Sequence, residues 1–70
     1  MEFILETKIK ELRASKNLSQ EELALKVNVR RETIARLEKG MYNPSLKLAM
    51  DIAAVFDKNV EEVFFFTEKK

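Results

Sequence analysis

The chain has 70 residues, with no cysteine, no histidine and a nearly balanced 13 basic and 12 acidic side chains. That bounds it to one small domain, residues 1–70. It excludes disulfides and thiolate metal sites, and the commonest metal ligand and general base are absent as well. We therefore expect no metal, no cofactor and no enzymatic activity. With 46% hydrophobic and 36% charged residues the chain reads as globular, not disordered. No apolar run approaches the roughly 20 residues of a membrane span and no leader pattern opens the sequence, so a cytoplasmic location is expected. A chain this short buries only about 60% of its unfolded surface, and oligomerisation is the stabilising aid left to it.

Residues 1–5 (Met1-Glu2-Phe3-Ile4-Leu5) are apolar and extended in preference. The first predicted helix runs from Thr7 to Lys16, with Ile9 and Leu12 as its buried stripe and Lys8, Lys10, Glu11 and Arg13 facing water. Asn17 is placed to end it in a left-handed residue. The second helix has the best start signal in the chain. Ser19 is followed by Glu22 as a capping box, and Leu18 and Leu23 are placed as a hydrophobic staple. Leu23, Ala24 and Val27 form its buried face, and it ends near Val27.

Asn28-Val29 reads as the tight corner, since Asn tolerates positive φ. The third helix is predicted over Arg31 to Lys39, burying Ile34, Leu37 and Ala35, with Gly40 as its stop. Arg30 or Val29 must cap it, and both are poor caps. A cation there opposes the helix dipole, and a phosphate at the same place would relieve the repulsion. A loop from Met41 to Pro44 follows. Ser45 caps a fourth helix, Leu46 to Phe56, whose Leu48, Ala49, Ile52, Ala53 and Phe56 mark it as the core. Asp57-Lys58 turns, Asn59 caps, and Val60 to Phe64 makes a fifth, short helix. Phe65 to Thr67 has strand character, as do Phe3 to Leu5, so the two ends could pair as a small antiparallel sheet.

The charge is uneven along the chain. Residues 26–47 carry six basic and two acidic side chains, residues 1–25 four and five, and residues 48–70 three and five. A middle third at +4 between acidic flanks suggests a polyanion on one face, with a solvated surface as the alternative. Helix, short corner and a second helix rich in arginine is the pattern that lays its second helix in the major groove. The segment that carries it spans residues 19–40.

Leu18 to Phe56 resembles the Cro/cI-type helix–turn–helix regulators. The resemblance rests on Leu18-Ser19-Gln20-Glu21-Glu22-Leu23-Ala24, Thr33-Ile34, Glu38-Lys39-Gly40, Asn43-Pro44-Ser45 and the helix after it, then Val60-Glu61-Glu62-Val63-Phe64. It covers about residues 7–64. The short chain with strand-like ends is similar to small dimeric members of the cytolysin-repressor type. The resemblance implies an all-α, five-helix, lambda-repressor-like fold with a small terminal sheet.

It also implies roles for particular residues. Gln20 would bond a DNA phosphate. Arg31, Glu32 and Arg36 would face the groove with Thr33 beside them. Lys39, Tyr42 and Asn43 would contact the backbone. Arg31 or Arg36 could pair with guanine and Glu32 with cytosine. Two positions depart from the family: Asn28 stands where Gly is usual, and Arg30 where Ser or Thr is usual, which makes Arg30 a candidate phosphate contact. Blander readings exist for several of these: a surface pair between Glu32 and Arg36, a simple helix-start role for Gln20, plain solvated surface for Arg31 and loop packing for Tyr42.

Three consecutive aromatics, Phe64-Phe65-Phe66, cannot all bury on one small helix, and exposed aromatic patches mark interfaces. We expect a homodimer through the termini, with Phe3, Leu5, Phe64, Phe65 and Phe66 at its interface. The functional expectation is a sequence-specific transcriptional regulator, a repressor on a palindromic operator in double-stranded DNA. The alternative is an antitoxin or adaptor using the same fold on a regulatory protein partner.

Overall fold

In a computed structural model that describes residues 2–69, every helix that reaches full length stops for the same reason. The described elements are β1 (Phe3–Thr7), α1 (Ile9–Ser15), α2 (Gln20–Lys26), α3 (Arg31–Glu38), α4 (Leu46–Val55), α5 (Val60–Val63) and β2 (Phe64–Glu68). Asn17, Asn28, Gly40 and Asp57 follow α1 to α4, all at positive φ. In each case two backbone N–H groups fold back onto the last turn, as in Asn28 to the Leu25 carbonyl and Val29 to the Ala24 carbonyl. These are Schellman endings, and they satisfy carbonyls that a helix leaves orphaned. The corner between α2 and α3 is one of them.

The starts of α2, α4 and α5 follow from side chains. Ser19 Oγ accepts from the Glu22 N–H at 2.9 Å, and Glu22 Oε1 accepts from the Ser19 N–H at 2.9 Å, a complete capping box. Ser45 Oγ caps α4 through the Leu48 N–H. The Asn59 N–H donates to Glu62 at the start of α5. The Ser19 N–H holds the Glu22 carboxyl below the usual carboxylate range, helped by the Ser19 hydroxyl, against a small cost of desolvation. A depressed folded-state pKa contributes stability above the unfolded value, and that contribution is lost as pH falls through the folded value. Thermal unfolding between about pH 5 and pH 2 should therefore show the wild type losing stability relative to Glu22→Gln, which cannot titrate. Parallel pH profiles for the two proteins would refute this.

The core gathers Ile9, Leu23, Ile34, Leu37, Ile52 and Val63, all without solvent exposure, around Ala24, Ala49, Ala53 and Phe56. Small alanines at 24, 49 and 53 let the helices approach closely. The fold class is as expected, five helices and a two-stranded antiparallel sheet from the two ends.

Some boundaries and faces differ from expectation. Thr7 closes β1 instead of opening α1, and its Oγ1 accepts from the Ile9 N–H. Arg13 does not face water, because it is drawn into an ion pair with Glu38. Phe64 leaves α5 and begins β2.

The sheet pairs Phe3 with Glu68, Leu5 with Phe66 and Thr7 with Phe64. Opposed residues share a face, so Phe3, Leu5, Phe64 and Phe66 all lie on the side that meets the helices. Leu5 and Phe64 are covered there and belong to the chain's own core. They are not free for a partner, which corrects their assignment to an interface. Phe3 and Phe66 lie beyond the helices' reach, 59% and 57% exposed, and line an apolar hollow. Phe65 is half-buried on the opposite face.

Candidate nucleic-acid interface

The α2–corner–α3 unit places a short helix of mixed charge on the surface. Ile34 and Leu37 pin α3 to the core. With 3.6 residues per turn, the face opposite them carries Glu32, Ala35, Arg36 and Lys39. Arg31 stands at its edge on the side of α2, and Thr33 at the other edge. Arg31, Glu32, Arg36 and Lys39 are exposed, and Thr33 and Ala35 are half-buried. Among the described residues no ion pair joins Glu32 to Arg36, so the surface-pair alternative has no contact behind it. Ala35 was expected in the core. It stands half-buried at the flank of the outward face, between the core and the exposed residues.

Arg30 is the N-cap of α3, in extended geometry and with no side-chain bond to the helix. The backbone donors of the first turn of α3 therefore lack a capping side chain, and an exposed cation stands beside them. That arrangement suits a phosphate. Tyr42 and Asn43 follow the Gly40 ending and are exposed with Met41. The structure thus brings Arg31, Glu32, Arg36 and Lys39 onto one helix and leaves Arg30, Tyr42 and Asn43 at its two ends.

Gln20 is not an isolated surface amide. Its Nε2 donates to Glu38 Oε1 at 3.1 Å, and its Oε1 accepts from Arg31 Nη1 at 3.4 Å. Glu38 also accepts from Arg13 Nε at 2.6 Å and from Nη2 at 3.1 Å. Arg13 Nη1 donates to the Leu18 carbonyl at 3.0 Å. The Arg13 and Glu38 side chains are only 15% and 8% exposed. Arg13 ties α1 to the end of α3 and to the residue before the α2 cap. It is the member of this region that sequence reasoning missed.

No helix among the described residues is long and apolar enough to cross a membrane. No group of acidic residues there could hold a metal.

A family model described as helix–turn–helix matches residues 9–63. The chain is 59% identical over 66 residues to an HTH-type transcriptional regulator of Archaeoglobus fulgidus, covering 94% of this chain and 93% of that one. Among solved structures it is similar to the restriction-modification controller protein C.AhdI of Aeromonas hydrophila. There the TM-score is 0.71 at 34% identity, covering 79% of this chain and 83% of that one. The fold of the transcriptional regulator VanUg also matches, with a TM-score of 0.82 at 20% identity over 99% of this chain and 92% of that one.

Proposed function

The chain belongs to the helix–turn–helix family of DNA-binding transcriptional regulators, and from that premise we propose that it is a homodimeric repressor of a palindromic operator. The observation that carries the reading is the outward face of α3, where Arg31, Glu32, Arg36 and Lys39 stand exposed on a helix pinned from behind by Ile34 and Leu37. In this reading α3 lies in the major groove. Arg31 and Arg36 donate to guanine, and Glu32 accepts from cytosine N4. Thr33, Lys39, Tyr42 and Asn43 reach the flanking backbone, and Arg30 takes a phosphate at the start of α3. The protein works where the DNA is, in the cytoplasm.

The dimer rests on Phe3 and Phe66. They lie on the core-facing side of the sheet, yet among the described residues they stay more than half exposed. A two-stranded sheet is marginal alone, and a second copy would bury both rings. Two copies of α3 about 34 Å apart would then read half-sites one helical turn apart. Repression follows when such a site overlaps a promoter.

Selection of bound duplexes from random DNA tests the reading. The expected product is an inverted repeat with half-site centres about 10 base pairs apart. A single unrepeated site would remove the symmetric dimer from the reading, and no enrichment would remove the operator. Sedimentation is the companion measurement. The wild type should run as a dimer and Phe3→Ser/Phe66→Ser as a folded monomer, and an unchanged dimer would place the interface elsewhere.

A further inference from the structure

We infer that the outward face of α4 is a second surface through which copies of this chain associate, separate from the one at Phe3 and Phe66. It depends neither on α3 reading DNA nor on the dimer proposed above. α4 buries Ala49, Ile52 and Ala53 in the core, yet its far side is not polar. Leu46 and Met50 stand 72% and 55% exposed, and Ala54 is exposed with them. Spaced four apart, the three form one ridge about 12 Å long. Lys47 and Asp51 are the only polar side chains in the helix. They flank the ridge on the side of the α2–α3 corner, where both line a hollow with Val27, Asn28 and Val29, and they pair with each other at 2.7 Å. A helix that is apolar on both sides belongs in an interior. Among the described residues the outer ridge of α4 has no such cover.

The occupant that fits is a second copy of the same face. Two such helices crossing antiparallel about a two-fold axis near Met50 complement each other residue by residue. Met50 packs on Met50 of the other copy. Leu46 meets Ala54 of the other copy, large against small, as ridges that interdigitate require. The two-fold keeps the charged flanks of both copies on one side, so each Lys47 comes beside the other's Asp51. The face carries one charge of each sign, which favours neither an acidic nor a basic foreign partner but matches itself. A ridge of three side chains covers far less than the roughly 1,600 Å² of a standard interface. The step is therefore weak and shows at high concentration, after the stronger association through the aromatic rings.

The experiment is sedimentation equilibrium from about ten micromolar to about one millimolar, on the wild type and on Phe3→Ser/Phe66→Ser. Circular dichroism shows that each variant is folded. Both proteins should gain one further doubling in mass at the high end. Leu46→Gln/Met50→Gln keeps helix propensity and should abolish that doubling in both. Lys47→Asp leaves the flank all acidic and Asp51→Lys leaves it all basic. Each alone should weaken the doubling roughly tenfold or more, because like charges then meet across the axis. An equimolar mixture of the two should recover it, since an acidic flank then meets a basic one. If neither protein doubles, or if the doubling survives Leu46→Gln/Met50→Gln, the inference is overturned. A mixture that associates no better than its components overturns it too, because the face is then not meeting its own kind. If Phe3→Ser/Phe66→Ser stays a dimer when dilute and becomes monomeric only with the α4 substitutions added, the dimer reading at the aromatic rings fails and the α4 face stands.

Discussion

Gly40→Ala is expected to destabilise the fold by about 3 kcal/mol or more, which at this size lowers the unfolding midpoint by roughly 15 °C. Two effects add. Gly40 sits at φ 68° in the ending of α3, where an L side chain costs about 1–2 kcal/mol. A Cβ there would also lie 2.3 Å from the Leu5 carbonyl oxygen, and backbone cannot give way as a side-chain tip can. Gly40→Asn separates the two. Asn tolerates the left-handed region, so strain alone would let it approach the wild-type midpoint, whereas the clash predicts that it stays low. A domain of this length has a total stability of only about 4–10 kcal/mol, so either variant gives up a large part of it. Thermal unfolding followed by circular dichroism reads the effect, and a loss below about 1 kcal/mol for Gly40→Ala would show that β1 simply moves aside. The same contact ties the end of α3 to the strand that presents Phe3. A shifted β1 should therefore also weaken self-association.

What could be read from the sequence was what is set within a few residues. Ser19 and Glu22 cap α2 because they are three apart, and Asn17, Asn28 and Gly40 end their helices because of their own backbone preferences. The outward face of α3 was legible too, since it is the complement of Ile34 and Leu37. Arg13 was not. It sits on the polar side of α1 by periodicity, and its partner Glu38 lies 25 residues away. Only the docking of α1 against the end of α3 turns Arg13 inward. Gln20 was legible as a residue but not in its connections, for the same reason. At the termini, strand character and pairing could be read from Phe3–Leu5 and Phe65–Thr67. Which aromatics stay uncovered could not, because alternation puts Phe64 and Phe66 on one face and only the helices' extent decides that Phe64 is buried and Phe66 is not.

Arg31→Ala/Arg36→Ala should cost at least about thirtyfold in operator affinity while leaving the fold intact. Each bidentate contact to guanine is worth about 1–3 kcal/mol of discrimination, and about 1.4 kcal/mol is a factor of ten. Both side chains are exposed and neither belongs to an ion pair among the described residues, so their removal leaves no buried charged partner behind. The loss should fall on the operator far more than on unrelated DNA, narrowing the ratio between the two. Arg30→Ser provides the opposite pattern. Serine supplies the missing cap of α3 and should stabilise the fold by about 1 kcal/mol. The lost cation should weaken binding to all sequences alike and reduce the slope of log affinity against log salt by about one. Titrations of operator and unrelated duplexes across a salt series separate the two cases. If the double variant binds its operator as the wild type does, α3 is not the reading helix. If Arg30→Ser leaves the salt slope unchanged, the uncapped start of α3 has another cause than a phosphate.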